Sequence, residues 1–190
     1  MRNNYFLLRH GKTIYQTKKR KFVYPPINKQ GNIGLIAESK RRLKETAKRI
    51  KKEKIDLIYS SDILRTRQTA GIVAKELGLK IHFDKRLRDL NHGIWSGRIK
   101  KEFHQAFSDP QKRFKTRLKK GESWNDIKKR LSSFLKDVEG RYKNKNILVV
   151  SHGDTLWLLE GIIKNMNNQM LLDEIFVKKN FIQPEEFRKL

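Results

Sequence analysis

Cysteine is absent from the 190 residues of the chain. Disulfides, thiolate zinc sites, iron–sulfur clusters and a cysteine nucleophile are therefore excluded. Long apolar runs are absent too: none approaches the ~20 residues that span a membrane as a helix. The start, Met1-Arg2-Asn3-Asn4, lacks the extended apolar stretch of a secretory signal. These absences predict a cytoplasmic chain with no membrane attachment. Acidic residues are scarce, with 20 Asp and Glu against 45 Lys and Arg, a net charge of +25. Hydrophobic residues make up 37% and charged residues 34%, so the core is modest and the solvated surface dense in charge. The length predicts a single domain over residues 1–190, with a basic cap insertion at about 98–120.

A charge of +25 concentrates anions around the molecule, be they nucleic acid, anionic membrane or a phosphorylated substrate. The basic residues recur in Lys18-Lys19-Arg20-Lys21, Lys40-Arg41-Arg42, Lys119-Lys120 and Lys128-Lys129-Arg130. They decorate most predicted helices and do not gather in one tail. Nor are aromatics interleaved with them, as a platform for single-stranded nucleic acid requires. The expected partner is a small or multiply anionic phosphorylated substrate, the latter favoured by the basic residues of 12–30 and 98–120, with only weak, non-specific binding to polyanions.

Short apolar runs alternate with amphipathic segments. Tyr5 to Leu8, Ile55 to Tyr59, Lys80 to Phe83 and Asn146 to Val150 read as strands. Between them, Ile36, Leu43, Ala47 and Ile50 share one helical face over about Asn32 to Lys52. Ser61 or Asp62 is placed to cap the next helix, and Gly78 to end it. A long stripe of Trp124, Ile127, Leu131, Phe134, Leu135 and Val138 marks a helix from Glu122 to about Gly140. A further helix is expected from Asp154, itself a candidate cap, to about Lys164. Residues 12–30 read as a loop and 98–120 as short basic helices broken at Pro110. The C-terminal segment stays ambiguous. Strands alternating with helices predict an α/β three-layer sandwich, with a mostly parallel central sheet, flanking helices and a small helical cap.

In such sheets ligands sit beyond the carboxyl ends of strands. Three polar sites fall there: Arg9-His10-Gly11, Ser60-Ser61, and Ser151-His152-Gly153. Two imidazoles and a guanidinium on one rim suit a tetrahedral anion, and Gly11 allows close backbone approach. Arg65 lies in the first turn of the helix after the second strand, with Arg67 as its competitor. Spacing alone does not separate the two.

The segments Leu7-Leu8-Arg9-His10-Gly11, Ser60 to Ala70, Leu87-Arg88-Asp89 with Gly93 and Trp95, Gly121-Glu122-Ser123, and Val149 to Gly153 resemble, in order, the five blocks of the histidine phosphatase superfamily, the phosphoglycerate mutase-like family. The resemblance implies a phosphomonoester hydrolase acting through phosphohistidine, without cofactor or metal. It casts His10 as nucleophile, its second ring nitrogen tied to a backbone carbonyl near Gly11. Arg9, Arg65 and His152 would grip the phosphoryl oxygens, with Gly11, Gln16, Glu122 and Gly153 also touching substrate. Asp89 stands where the family's proton donor is usually Glu, one methylene longer. Gln16 stands where the family often has an Asn on phosphate. Glu122 is a second candidate acid or an orienting group.

Two alternatives remain open. One is a phosphoglycerate mutase, although the family's mutases carry a longer insertion than the about two dozen residues between Gly97 and Gly121. The other is a catalytically weak, basic nucleic-acid-binding module.

Overall fold

The computed structural model describes residues 1–190. In chain order its main elements are β1 (Asn4–Arg9), α1 (Ala37–Lys51), β2 (Leu57–Ser60), α2 (Leu64–Leu77), β3 (Ile81–Phe83), α3 (Lys100–Ala106) and α4 (Lys112–Lys115). They are followed by α5 (Trp124–Arg141), β4 (Asn146–Ser151), α6 (Gly153–Ile163), α7 (Asn168–Phe176) and β5 (Phe187–Lys189). The sheet order is β3-β2-β4-β1-β5, parallel throughout except for β5, which runs antiparallel to β1.

The period of two along each strand sorts its side chains between two cores. Phe6, Leu8, Leu148 and Val150 face α1 and α2. Tyr5, Leu7, Ile147 and Val149 face the layer built from α5, α6 and α7. Both faces are covered, which is why these strands read as continuous apolar runs. The result is the expected three-layer α/β sandwich. On α5 the whole predicted stripe is buried, from Trp124 to Val138. Ser123 opens that helix through a capping box with Asp126, one residue later than the pattern indicated.

Several local expectations are corrected. The first helix begins at Ala37 and not near Asn32, because the backbone N–H groups of Leu35 and Ile36 are taken by Gln68 and by the carbonyl of Lys12. Neither Ser61 nor Asp62 caps α2, whose cap position is Ile63. Asp62 is captured instead by Arg88 through two hydrogen bonds of 2.6 Å. Asp154 lies inside the first turn of α6 and accepts from the Trp124 indole at 3.4 Å, so it is not the cap. Residues 12–30 form a loop with two 3₁₀ turns, Ile14–Gln16 and Ile27–Lys29. That loop is stitched to the base of the cap by Val23 N–H to Arg98, Gly97 N–H to Tyr24 and Lys100 N–H to Lys21. The unread C-terminal segment becomes α7 and the edge strand β5.

Candidate active site

β1 and β4 are neighbours in register, Arg9 opposite Ser151. The residue after each strand is therefore brought beside the other. His10 and His152 lie with ring centroids 5.2 Å apart, and His10 N–H extends the ladder to Ser151 at 3.0 Å. β2 flanks β4 on its other side, so α2 starts at the same rim and its first turn delivers Arg65.

Arg65 is fully buried and holds the site together. Its Nε–H donates to His10 Nε2 at 3.2 Å and its Nη1 to Gln30 Oε1 at 2.6 Å. Nη2 lies 2.8 Å from Asp89 Oδ2 and 3.0 Å from His152 Nδ1. One face of the guanidinium stacks on Tyr24, 4.0 Å from the ring centre. Arg67, its rival in the sequence, lies over Phe83 instead.

These contacts fix the proton positions. A guanidinium only donates, so His10 Nε2 and His152 Nδ1 must both be bare acceptors. The proton of His10 then sits on Nδ1, which donates to the Gly11 carbonyl at 2.8 Å. That of His152 sits on Nε2, which donates to Ser61 Oγ at 3.0 Å. Both rings are neutral. Burial pushes both pKa values well below the ordinary histidine range, and the Arg65 and Arg9 charges push the same way.

Arg9 runs alongside, donating Nη1–H to the Ile182 carbonyl at 2.7 Å. Its Nε–H is buried without a partner. Gly153 is what lets it lie there: a Cβ at that position would come within 3.1 Å of Arg9 Cζ and 2.8 Å of the Phe181 ring. The helix α6 starts at Gly153, so its positive end faces the same space.

Asp89 meets the cluster directly. Its Oδ2, already on Arg65, is also 3.6 Å from His152 Nδ1, and the side chain is 18% exposed. Glu122 does not meet it. Its carboxylate accepts from Arg130 at 3.0 and 3.3 Å and from Asn91 N–H at 3.0 Å. Arg130 in turn holds the Asp89 carbonyl at 3.3 Å, so Glu122 bears on the site through Arg130.

Two further residues expected to touch substrate are occupied elsewhere. Gly11 gives its N–H to Thr69 Oγ1 at 3.1 Å and its carbonyl to His10. The close approach it permits is that of α1, since a Cβ would fall 2.2 Å from Ser39 Oγ. The Gln16 amide caps Thr13 and hydrogen-bonds the Tyr24 hydroxyl. Sequence reasoning missed Tyr24, Gln30 and Arg130. Their contacts cross from the basic loop and α5, and no local pattern marks them.

The neutral, buried histidines carry a stability signature. Unfolded, they titrate near 6.5. As pH falls through that value the unfolded chain gains protons that the folded chain refuses, so stability is full above it and is lost below. Each ring contributes up to about 1.4 kcal/mol per pH unit in that window. Urea unfolding is expected to show a lower midpoint at about pH 5.5 than at about pH 7.5. A midpoint that stays put would contradict the neutral pair.

The model of the histidine phosphatase superfamily (branch 1) matches residues 5–175. The chain is 31% identical over 123 residues to phosphoserine phosphatase 1 of Hydrogenobacter thermophilus, covering 62% of this chain and 58% of that protein. It is 30% identical over 167 residues to the probable phosphoglycerate mutase GpmB of Escherichia coli (strain K12 / DH10B), covering 83% of this chain and 73% of that one. In fold it is similar to a mycobacterial glucosyl-3-phosphoglycerate phosphatase complexed with VO3, with a TM-score of 0.81 at 19% identity over 98% of this chain and 92% of the other. The fold and the match over nearly all of the chain agree: this protein belongs to the histidine phosphatase superfamily, branch 1.

Proposed function

We propose that the chain is a phosphomonoester hydrolase working through a phosphohistidine at His10, as one domain with a basic cap at 98–120. The observation that carries this reading is the Arg65 hydrogen-bond pattern. It leaves the lone pair of His10 Nε2 directed at a buried guanidinium, where an incoming phosphoryl oxygen would bind. The names of the relatives support phosphoryl chemistry. The buried guanidinium donors of Arg9 and Arg65, on rigid elements, supply charge stabilisation to the transferring group, and His152 joins them as a donor once the negative charge of bound phosphate places a proton on its Nδ1.

In the first step the Nε2 lone pair of His10 forms the N–P bond as the P–O bond to the leaving group breaks. The leaving oxygen takes a proton from Asp89. In the second step water attacks phosphorus, the N–P bond breaks, and Asp89 takes the proton of that water. Asp89 is paired with Arg65 before substrate arrives. A bound phosphate displaces it from the guanidinium and leaves its carboxyl beside the leaving oxygen. Arg65 then moves its Nε–H from His10 to phosphate oxygen, freeing the nucleophile. Gln16, Gly11 and Glu122 position this set without touching substrate. The basic segments raise the local concentration of anions, and weak polyanion binding accompanies them. A pure binding module has no use for two histidines held neutral in defined tautomers.

A second reading, phosphoglycerate mutase, is favoured by the near-complete burial of His10 and His152. A mutase must keep water off its phosphohistidine. Chasing the trapped phosphoenzyme with water alone or with a phosphoglycerate separates the two.

The acid assignment has its own test. With p-nitrophenyl phosphate the departing phenolate needs little protonation, so Asp89→Asn should cost little in the first step. With an alkyl phosphate the same change should cost roughly 10²-fold or more in kcat/KM. Glu122→Gln should show no such selectivity. A larger alkyl-specific loss in Glu122→Gln than in Asp89→Asn would transfer the role to Glu122.

A further inference from the structure

A cavity of about 530 Å³ opens between the cap, the starts of α5 and α6, and the C-terminal segment. Phe107, Trp124, Phe176 and Phe181 form much of its wall, and Arg113 and Asp154 supply its charges. Its volume lies within the range of small-molecule sites.

Two contacts join this cavity to the phosphate clamp. Phe181 stands with its ring centre 5.4 Å from Arg9 Cζ, so one residue walls the cavity and backs the clamp. Asp154 is two residues beyond His152, and Gly153 between them packs against both Phe181 and Arg9. The space therefore begins one side chain, Phe181, away from Arg9.

The wall is apolar and carries no net charge. Arg113 lies flat on Trp124, 4.0 Å from the ring, and its Nη2 is 3.7 Å from Asp154 Oδ2. That separation is beyond a hydrogen bond, so each group keeps capacity for a ligand atom. Burial pushes His104 below the ordinary histidine range, so it is neutral at pH 7. Asp154 offsets the one cation in the wall, so a second phosphate gains little there.

We infer that this cavity is the leaving-group pocket of the proposed hydrolase, and that it takes an aromatic or branched aliphatic group bearing at most one hydrogen-bonding substituent within reach of Arg113 or Asp154. The net positive charge draws in the phosphate, and the aromatic wall selects what the phosphate is attached to. The multiply anionic substrates that the +25 charge brings to mind fit this wall poorly. The inference rests on the hydrolase reading, and the experiment below separates the failure of one from the failure of the other.

Phe176 is 49% exposed, so its replacement should leave the fold intact. Binding of 1-naphthylmethylphosphonate and of methylphosphonate is measured by calorimetry on wild type, Phe176→Glu and Phe176→Leu. Phe176→Glu is expected to weaken the naphthyl ligand on the order of tenfold and the methyl ligand hardly at all, with Phe176→Leu near wild type. Equal losses for both ligands, or none for either, would overturn the pocket. Turnover of 1-naphthyl phosphate and glycerol 2-phosphate is followed in parallel. The same selective loss should appear there, carried by KM. A wild-type protein that hydrolyses neither ester would refute the hydrolase reading, while the phosphonate comparison would still decide the pocket.

Discussion

His10→Ala is expected to lower turnover of an aryl phosphate by about 10⁴-fold or more, as loss of a covalent nucleophile does elsewhere. The reason is geometric. His10 Nε2 is the bare nitrogen facing Arg65, and the other bare imidazole nitrogen, His152 Nδ1, is already shared between Arg65 and the space beside Asp89. Quenching a reaction with radiolabelled substrate into alkaline denaturant, where the N–P bond of phosphohistidine survives, should trap label on wild type and none on the variant. The substitution leaves Arg65 Nε–H without its acceptor, at a cost of about 1–3 kcal/mol, so the melting temperature should fall while circular dichroism stays native-like. Retention of more than a few per cent of wild-type turnover would remove His10 from the role.

Arg65→Met should be nearly as damaging to activity and worse for stability. Removing a single preorganised donor to a developing charge costs about 10²–10³-fold in rate, and Arg65 brings donors on all three of its nitrogens to the site. The same change strands Gln30 Oε1 and the Asp89 carboxylate. Breaking a fully buried ion pair costs about 3–5 kcal/mol. Asp89 is 18% exposed, so the loss here should sit at or below the lower end of that span. Arg65→Lys should recover part of the stability and little of the activity, because one ammonium cannot serve His10, His152, Asp89 and Gln30 together. Near-wild-type kcat/KM in Arg65→Lys would show that a point charge suffices and that the fork is incidental.

Much of this molecule is legible in its sequence. The runs at Tyr5 to Leu8 and Asn146 to Val150 read as buried strands, and the stripe from Trp124 to Val138 as the core-facing side of a helix. Hydrophobic period reports burial directly, because burial is what it is for. The rim histidines were legible for a related reason: in a parallel sheet the residues that follow the strands gather at one edge whatever the loops do. Composition settled what the chemistry could not be, since a chain without cysteine has no thiolate to offer.

What tertiary structure alone decided were choices between residues of the same kind. Arg65 and Arg67 sit on one helix turn, and only the packing of α2 against β2 and β4 turns the first inward and leaves the second over Phe83. Asp89 and Glu122 are both acids in matching blocks, and only the fold sets one on Arg65 and the other on Arg130. Tyr24 and Gln30 come from a loop with no periodic pattern, and Phe181 comes from a segment without a readable element. Each reaches the site through a contact distant along the chain. Local sequence encodes which side chains must leave water and which chemistry they carry. Which distant partner each one meets depends on the register of the sheet and the angle of the helices, and those are properties of the packed whole.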